Sequence, residues 1–453
     1  MPMQSNRERT TRTVSTLSCV SWLLLLLLVP PALLGQATPD NTPAPHAASL
    51  GDSIRNVGNK ELHILYIHGI ASDGPGDFDS WLLRKTMCKS LGCIEPAGHL
   101  DGIEYADQDE FQLNAPPPKL LYLGEQVWKT DASGKSTEWN AAAPFVVHWK
   151  LERRVGPPIY VDEINWWPLI FSLKCRQIVQ SDAALVGPSK DRIKACSTLI
   201  SDSPTPGRFR SYDWISASEA QRLNAMPVQG ALVNRALKNG LLDWGFSDAV
   251  MSLGPLRGYI VDGIRQLVLK SVNISPEGTR GTANNFQADQ EFVIVTHSLG
   301  SYLIFDALDV TPATPQTATV IKSGDEFSRI LSHTSVVYFF ANQLRLLELA
   351  NLDVVQINTL VSHLQVWGDE RMKYLDSLGG PTKERLPPPQ IIALNDSSDL
   401  LTWTVPQLQP PVEVRNLTVK NAHHWLWLLE SPSKAHDNYA KNRSVVAQML
   451  KAP

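Results

Sequence analysis

Short, unbroken apolar runs are set into a chain whose intervening stretches are polar and rich in proline. Leu62–Ile67 (LHILYI), Phe145–Trp149 (FVVHW), Phe292–Thr296 (FVIVT), Ser335–Phe340 (SVVYFF) and Gln390–Leu394 (QIIAL) are too short for helices and favour β-branched and aromatic side chains. Runs of this kind are strands covered on both faces. Val412–Val419 (VEVRNLTV) alternates apolar and polar positions instead, as a final edge strand does. Helical spacing appears between the runs, at Trp81–Leu91 before Gly92, Val228–Lys238, Ala249–Val272, Ser301–Leu308 and Tyr439–Leu450. Buried strands alternating with amphipathic helices predict the α/β class, a mostly parallel central sheet flanked by helices. The end of Phe145–Trp149 is expected on the same rim as His68, which follows the first run. From Leu151 to Asn224 the alternation stops, broken by Pro157, Pro158, Pro168, Pro188, Pro204 and Pro206. Residues 151–224 therefore read as an inserted, mainly helical and irregular cap.

Length and composition add boundaries. The 453 residues exceed the usual size of one domain but suit one core with an insertion. A hydrophobic share of 43% against 19% charged residues is that of a globular protein, and a net charge of −4 offers no basic field for nucleic acid. Arg7, Arg9 and Arg12 precede the apolar run Val20–Val29, followed by Pro30, Pro31 and small residues. This is the plan of a secretory signal peptide over residues 1–37. Residues 38–58, rich in Pro, Ala, Asn and Asp, read as a flexible linker, and 59–453 as the folded domain. The body is thus expected outside the cytoplasm, secreted or periplasmic, or tethered to the membrane by an uncleaved leader. With Cys19 removed, Cys88, Cys93, Cys175 and Cys196 suit two disulfides in an exported chain. Proximity favours Cys88 with Cys93 and Cys175 with Cys196, and four free thiols are the alternative. No CxxC or His/Cys cluster suggests a metal.

The chemistry centres on Ser298. It lies between the run Phe292–Thr296 and the helix Ser301–Leu308, with the small residues Thr296 and Gly300 two places either side. A tight strand-to-helix corner needs small flanks and holds its central residue up as a nucleophile. A serine needs a histidine to take its proton, and the histidine needs a carboxylate to fix its tautomer. Two carboxylates follow the run Gln390–Leu394. Asp399 is preferred because Leu400 and Leu401 behind it offer a core anchor, and Asp396 stands as the alternative acid. His436, shortly before the last helix in a Ser/Pro/Lys-bearing loop, is the candidate base. His423 and His424 adjoin Trp425-Leu426-Trp427 and read as packing or surface residues; His68 and His297 read as structural hydrogen-bonders. The amides of Ile70, after His68-Gly69, and of Leu299 are the candidate oxyanion donors. Asn342 and Gln343 lie near the same rim, as substrate-side donors or loop-capping amides.

On His68-Gly69, Thr296-His297-Ser298-Leu299-Gly300, Asn395–Leu401 (NDSSDLL) and His436 with Tyr439 and Asn442, the chain resembles the α/β-hydrolase superfamily, in particular its serine esterase/lipase-like members. The resemblance runs from about residue 60 to the C-terminus, leaving out the cap, and departs from the family in Thr296 where Gly is commoner. It implies an α/β-hydrolase fold with Ser298 as nucleophile, Asp399 as acid, His436 as base, and Ile70 and Leu299 as oxyanion donors. It also implies hydrolysis of a small-molecule or lipid carboxylic ester through an acyl-enzyme, with no metal or organic cofactor. Ile164–Leu173 (INWWPLIFSL) in the cap would line an acyl pocket, touch a membrane surface, or simply pack. The same residues serve an acyltransferase, thioesterase or amidase, and a catalytically inactive hydrolase-fold binding protein is the non-enzymatic alternative.

Overall fold

The computed structural model describes residues 49–69, 80–93, 103–106, 126–130, 136–141, 145–170, 245–273, 290–308, 324–349, 359–378, 386–421 and 432–451, with isolated gaps in these stretches and isolated further positions between 174 and 245. Its strands are β1 (Glu61–Ile67), β2 (Ile103–Ala106), β3 (Gln126–Thr130), β4 (Ser136–Ala141), β5 (Phe145–Leu151), β6 (Ile159–Asn165), β7 (Gln290–His297), β8 (Thr334–Phe340), β9 (Gln390–Asp396) and β10 (Glu413–Val419). Its helices are α1 (Leu50–Asn56), α2 (Ser80–Leu91), α3 (Ser247–Leu253), α4 (Arg257–Asn273), α5 (Gly300–Ala307), α6 (Gly324–His333), α7 (Leu344–Glu348), α8 (Thr359–Ser377), α9 (Pro432–Asp437) and α10 (Arg443–Leu450).

An eight-stranded sheet runs in the order β10-β9-β8-β7-β1-β6-β5-β2, and β3 pairs with β4 separately. The strands from β10 to β6 are mutually parallel, while β5 is antiparallel to β6 and to β2. Alternate side chains divide between two cores. Leu65 and Ile67, Phe292 and Ile294, and Val337 and Phe339 face α4, α5, α6 and α8. On the other face, Ile64 and Tyr66, Val293 and Val295, and Tyr338 and Phe340 meet α1, α2 and α10. Helices on both faces close the sheet to solvent and leave the strand ends for chemistry. β7 and β1 lie in its middle, so the residues that follow them, Ser298 and His68, emerge side by side.

Several expectations change. Leu50–Asn56, inside the stretch read as linker, is a helix with a capping box on Ser49 and Asp52, and buries Leu50 and Ile54. The cap does not begin at 151, because Leu151 ends β5 and Ile159–Asn165 is a core strand beside β1. Trp166, Trp167, Leu169 and Ile170 are buried, and Trp166, Leu169 and Ile170 pack in the core, so this part of the apolar stretch is packing rather than a membrane-facing surface. The C-terminal end of β5 faces away from the His68 rim: the short link 152–158 cannot make a crossover, so β5 and β6 are antiparallel. The helix read over Ala249–Val272 divides at Gly254-Pro255 into α3 and α4. Cys88 and Cys93 are buried and not bonded as a disulfide; they are close because a backbone hydrogen bond from Cys93 N–H to Cys88 O (3.0 Å) ends α2. Cys175 and Cys196, the leader 1–37 and most of the cap, including 175–221, lie outside the described residues. Among the described residues no helix is long and apolar enough to cross a membrane.

A buried ion pair crosses the sheet away from the Ser298 end. His63 Nδ1 donates to Asp162 Oδ2 at 2.8 Å, and both side chains are buried. Burial works against the imidazolium, but Asp162, helped by Glu61, outweighs it and holds His63 up at about 9.

Candidate active site

β7 ends at His297 and α5 starts at Gly300, so the chain turns within Ser298 and Leu299. Ser298 has φ +54°, in the left-handed region, which costs a non-glycine residue about 1–3 kcal/mol. Its surroundings over-determine that conformation. Ser298 N–H donates to Phe340 O at 2.8 Å, and Ser298 O accepts from Ser301 Oγ at 2.7 Å and from Ser301 N–H at 3.1 Å. Close packing explains the small flanking residues. A Cβ on Gly300 would lie 2.6 Å from His68 O and 2.8 Å from Ile67 O, and one on Gly69 would lie 2.5 Å from Ser298 Cβ. The Thr296 side chain is accommodated with its hydroxyl donating to Tyr338 O on the neighbouring strand β8 (3.3 Å).

The structure brings Ser298, His436 and Asp399 together from three separate connections. Ser298 Oγ lies 2.8 Å from His436 Nε2, and His436 Nδ1 lies 3.0 and 3.1 Å from the two Asp399 oxygens. All three are buried. A carboxylate only accepts, so Nδ1 carries the proton, and Nε2 offers a lone pair to the serine hydroxyl.

His436 is on the last turn of α9 rather than in a loop. The carbonyls at that helix end are taken by side chains: Asn421 Nδ2 donates to Ala435 O (3.0 Å), and His297 Nε2–H donates to His436 O (2.8 Å). His297 thus braces the element that carries the base. Burial, with the neighbouring His436, lowers its pKa to about 3, so it stays neutral. His68 is also neutral, lowered to about 4 by burial, and packs against Trp166, whose Nε1–H donates to His68 O at 3.1 Å. Neither histidine contacts Ser298 Oγ in the way His436 does.

The acid loop is not anchored as expected, since Leu400 is 71% exposed. Asp399 is positioned by hydrogen bonds instead: its N–H donates to Asp396 O (3.0 Å), its Oδ1 accepts from Leu401 N–H (2.9 Å), and its Oδ2 accepts from Tyr439 O–H (3.2 Å). Asp396 does not meet His436. Its oxygens accept from Ser398 N–H (2.9 Å) and Asn421 N–H, which shapes the loop and ties it to the chain after β10. Tyr439 joins both carboxylate residues, because its hydroxyl also accepts from Asp396 N–H at 2.7 Å. Burial and then the Asp399 charge raise its pKa, so the phenol remains a donor. Its place three residues after His436 was the available signal, although the pattern assigned it no role.

Leu299 stands at the N-terminus of α5, where the first N–H groups of a helix have no intrahelical acceptor. Ile70, the second candidate oxyanion donor, lies outside the described residues, as do His423 and His424. Of the two rim amides, Asn342 shapes the turn into α7, accepting from Leu344 N–H (2.8 Å), and ties it to Trp403 O through Nδ2 (2.9 Å). Gln343 reaches the site itself, with Nε2 2.7 Å from Ser298 Oγ. No protein-family model matches the chain, and no curated protein matches it.

Proposed function

We propose that this chain is a serine hydrolase of the α/β-hydrolase fold that cleaves carboxylic esters through an acyl-enzyme on Ser298. The observation that carries this reading is the relay of Ser298 Oγ, His436 Nε2 and Nδ1, and Asp399 within 2.8–3.1 Å. The strained φ at Ser298 supports it, because ordinary packing gives no reason to hold a non-glycine residue there. The sheet order supports the hydrolase fold, with the nucleophile after a central strand, the acid after β9 and the base after β10.

In the proposed reaction Ser298 Oγ attacks the ester carbonyl carbon as its proton passes to His436 Nε2. The carbonyl oxygen becomes an oxyanion facing the Leu299 amide, with the Ile70 amide as the second donor assigned from sequence. Asp399 stabilises the imidazolium and keeps its orientation. The intermediate collapses, the carbon–oxygen bond to the alcohol breaks, and His436 returns the proton to the leaving oxygen. Water, deprotonated by His436, then cleaves the acyl-enzyme. The leader pattern at 1–37 supports an activity outside the cytoplasm.

Ser298→Ala should abolish hydrolysis of short p-nitrophenyl esters while the circular dichroism spectrum stays that of the parent. Undiminished turnover by the variant would remove Ser298 from the mechanism.

A further inference from the structure

Ser298 Oγ has a second polar neighbour that the relay does not use. Gln343 Nε2 lies 2.7 Å from it, closer than His436 Nε2, and the Gln343 side chain is buried. Which end of the carboxamide faces the serine follows from the rest of the network. Asp399 fixes the proton on His436 Nδ1, so His436 Nε2 takes the serine proton. With its hydrogen committed, Oγ can only accept from Gln343, so the NH2 group faces it.

The backbone is strained where it makes this placement. Ala341, the first residue after β8, has φ +51°, a left-handed value that costs an L-residue about 1–2 kcal/mol. Asn342 then fixes the turn to the acid-bearing segment in both directions, donating Nδ2–H to Trp403 O and accepting Trp403 N–H on its own carbonyl, each at 2.9 Å. Gln343 O accepts from Leu347 N–H at 3.0 Å, which seats Gln343 at the start of α7. A residue whose backbone is fixed on both sides and whose side chain is buried against the reacting oxygen does more than start a helix.

We infer that Gln343 is a catalytic residue: its N–H donates to Ser298 Oγ, directs the serine proton to His436, and stabilises the negative charge on Oγ during proton transfer. The inference rests on Ser298 being the nucleophile. In the first half-reaction the Oγ–H bond breaks, the proton moves to His436 Nε2, and the Oγ–carbon bond forms. In the second half that bond breaks, its electron pair returns to Oγ, and His436 gives the proton back. Gln343 serves Oγ in both halves, first as nucleophile and then as leaving group. A hydrogen bond to an atom gaining charge strengthens as the charge grows, so it acts on the transition state more than on the resting enzyme.

The test measures the second-order rate of labelling by a fluorophosphonate probe, together with kcat and KM on a p-nitrophenyl ester, for the parent, Gln343→Ala and Gln343→Glu. Gln343→Ala is expected to lower labelling and kcat about ten- to a hundredfold, the loss of one charge-assisted hydrogen bond, and to leave KM nearly unchanged. Gln343→Glu keeps the shape but puts a carboxylate beside Oγ and His436. It should be slow as well, and the acid limb of its kcat/KM profile should move to higher pH, because the added charge favours the imidazolium. A purely structural glutamine would change the melting temperature while folded Gln343→Ala kept the parental labelling rate and kcat. If Gln343→Ala does not fold, the isosteric Gln343→Glu decides. A labelled parent with both variants at the parental rate overturns the role of Gln343 and leaves Ser298 standing. A parent that does not label overturns both readings.

Discussion

Replacing Asp399 with Asn exchanges one oxygen for an NH2 group where several donors converge. Asp399 accepts from His436 Nδ1 at 3.0 and 3.1 Å, from Leu401 N–H at 2.9 Å on Oδ1, and from Tyr439 O–H at 3.2 Å on Oδ2. The Leu401 amide cannot turn round, so the asparagine oxygen stays in the Oδ1 position and the NH2 takes the Oδ2 position. There, 3.1 Å from His436 Nδ1, a donor replaces one of the two acceptors of the Nδ1 proton, and the oxygen that remains, 3.0 Å away, is shared with the Leu401 amide. The imidazole relieves the contact by moving its proton to Nε2, where it can no longer accept from Ser298. A base locked in the wrong tautomer costs on the order of 10⁴-fold in kcat, or about 5.5 kcal/mol of barrier. The fold should lose only about 1–3 kcal/mol, the worth of one mismatched buried group. Asp396→Asn supplies the control. Asp396 accepts from Ser398 and Asn421 amides that do not touch His436, so this variant should lower the melting temperature by a few degrees and keep kcat within about tenfold. The assay is kcat on p-nitrophenyl acetate beside thermal unfolding for both variants. An Asp399→Asn enzyme with more than about a tenth of parental kcat, or an inactive but stable Asp396→Asn enzyme, would refute the assignment.

Gly69→Ala should damage fold and reaction together, because its Cβ would lie 2.5 Å from Ser298 Cβ and 3.2 Å from Ser298 Oγ. Overpacking of this kind costs about 1–3 kcal/mol, and unchanged melting temperature and kcat would show that the elbow is looser than described. The His63–Asp162 pair predicts a pH dependence on the alkaline side. His63 is raised from 6.5 to about 9, so its contribution is complete below pH 6.5 and is lost as pH rises through about 9. The shift corresponds to about 3 kcal/mol. Urea unfolding at pH 6 and pH 9.5 should show the parent losing that much relative to Asp162→Asn, and a difference that does not change with pH would exclude the charged pair.

The strands that are apolar throughout were legible because burial on both faces leaves no polar position to interrupt them. β6 was not, since IYVDEIN carries Asp162 and Glu163 inside the sheet. Those carboxylates are tolerated through partners distant in sequence, His63 for Asp162 and Ser80 for Glu163, which no local pattern shows. Reading β6 as cap also hid the reversal of β5. At the site, the corner around Ser298 announces itself through its flanking small residues. Asp399 could be weighed against Asp396 only on an anchoring role for Leu400 that the exposed side chain does not play; turn hydrogen bonds and Tyr439 distinguish the two. Gln343 was visible as a rim position, but its contact with Ser298 depends on β8 lying beside β7, a fact of the sheet rather than of the sequence.

The central claim, one relay built from Ser298, His436 and Asp399, is tested most directly by intact-mass and peptide mapping after fluorophosphonate treatment. Such a relay predicts one adduct per chain, formed with loss of fluoride, on the peptide that contains Ser298, and no comparable adduct in His436→Ala. An adduct at another residue, or equal labelling of Ser298 when His436 is gone, would contradict it.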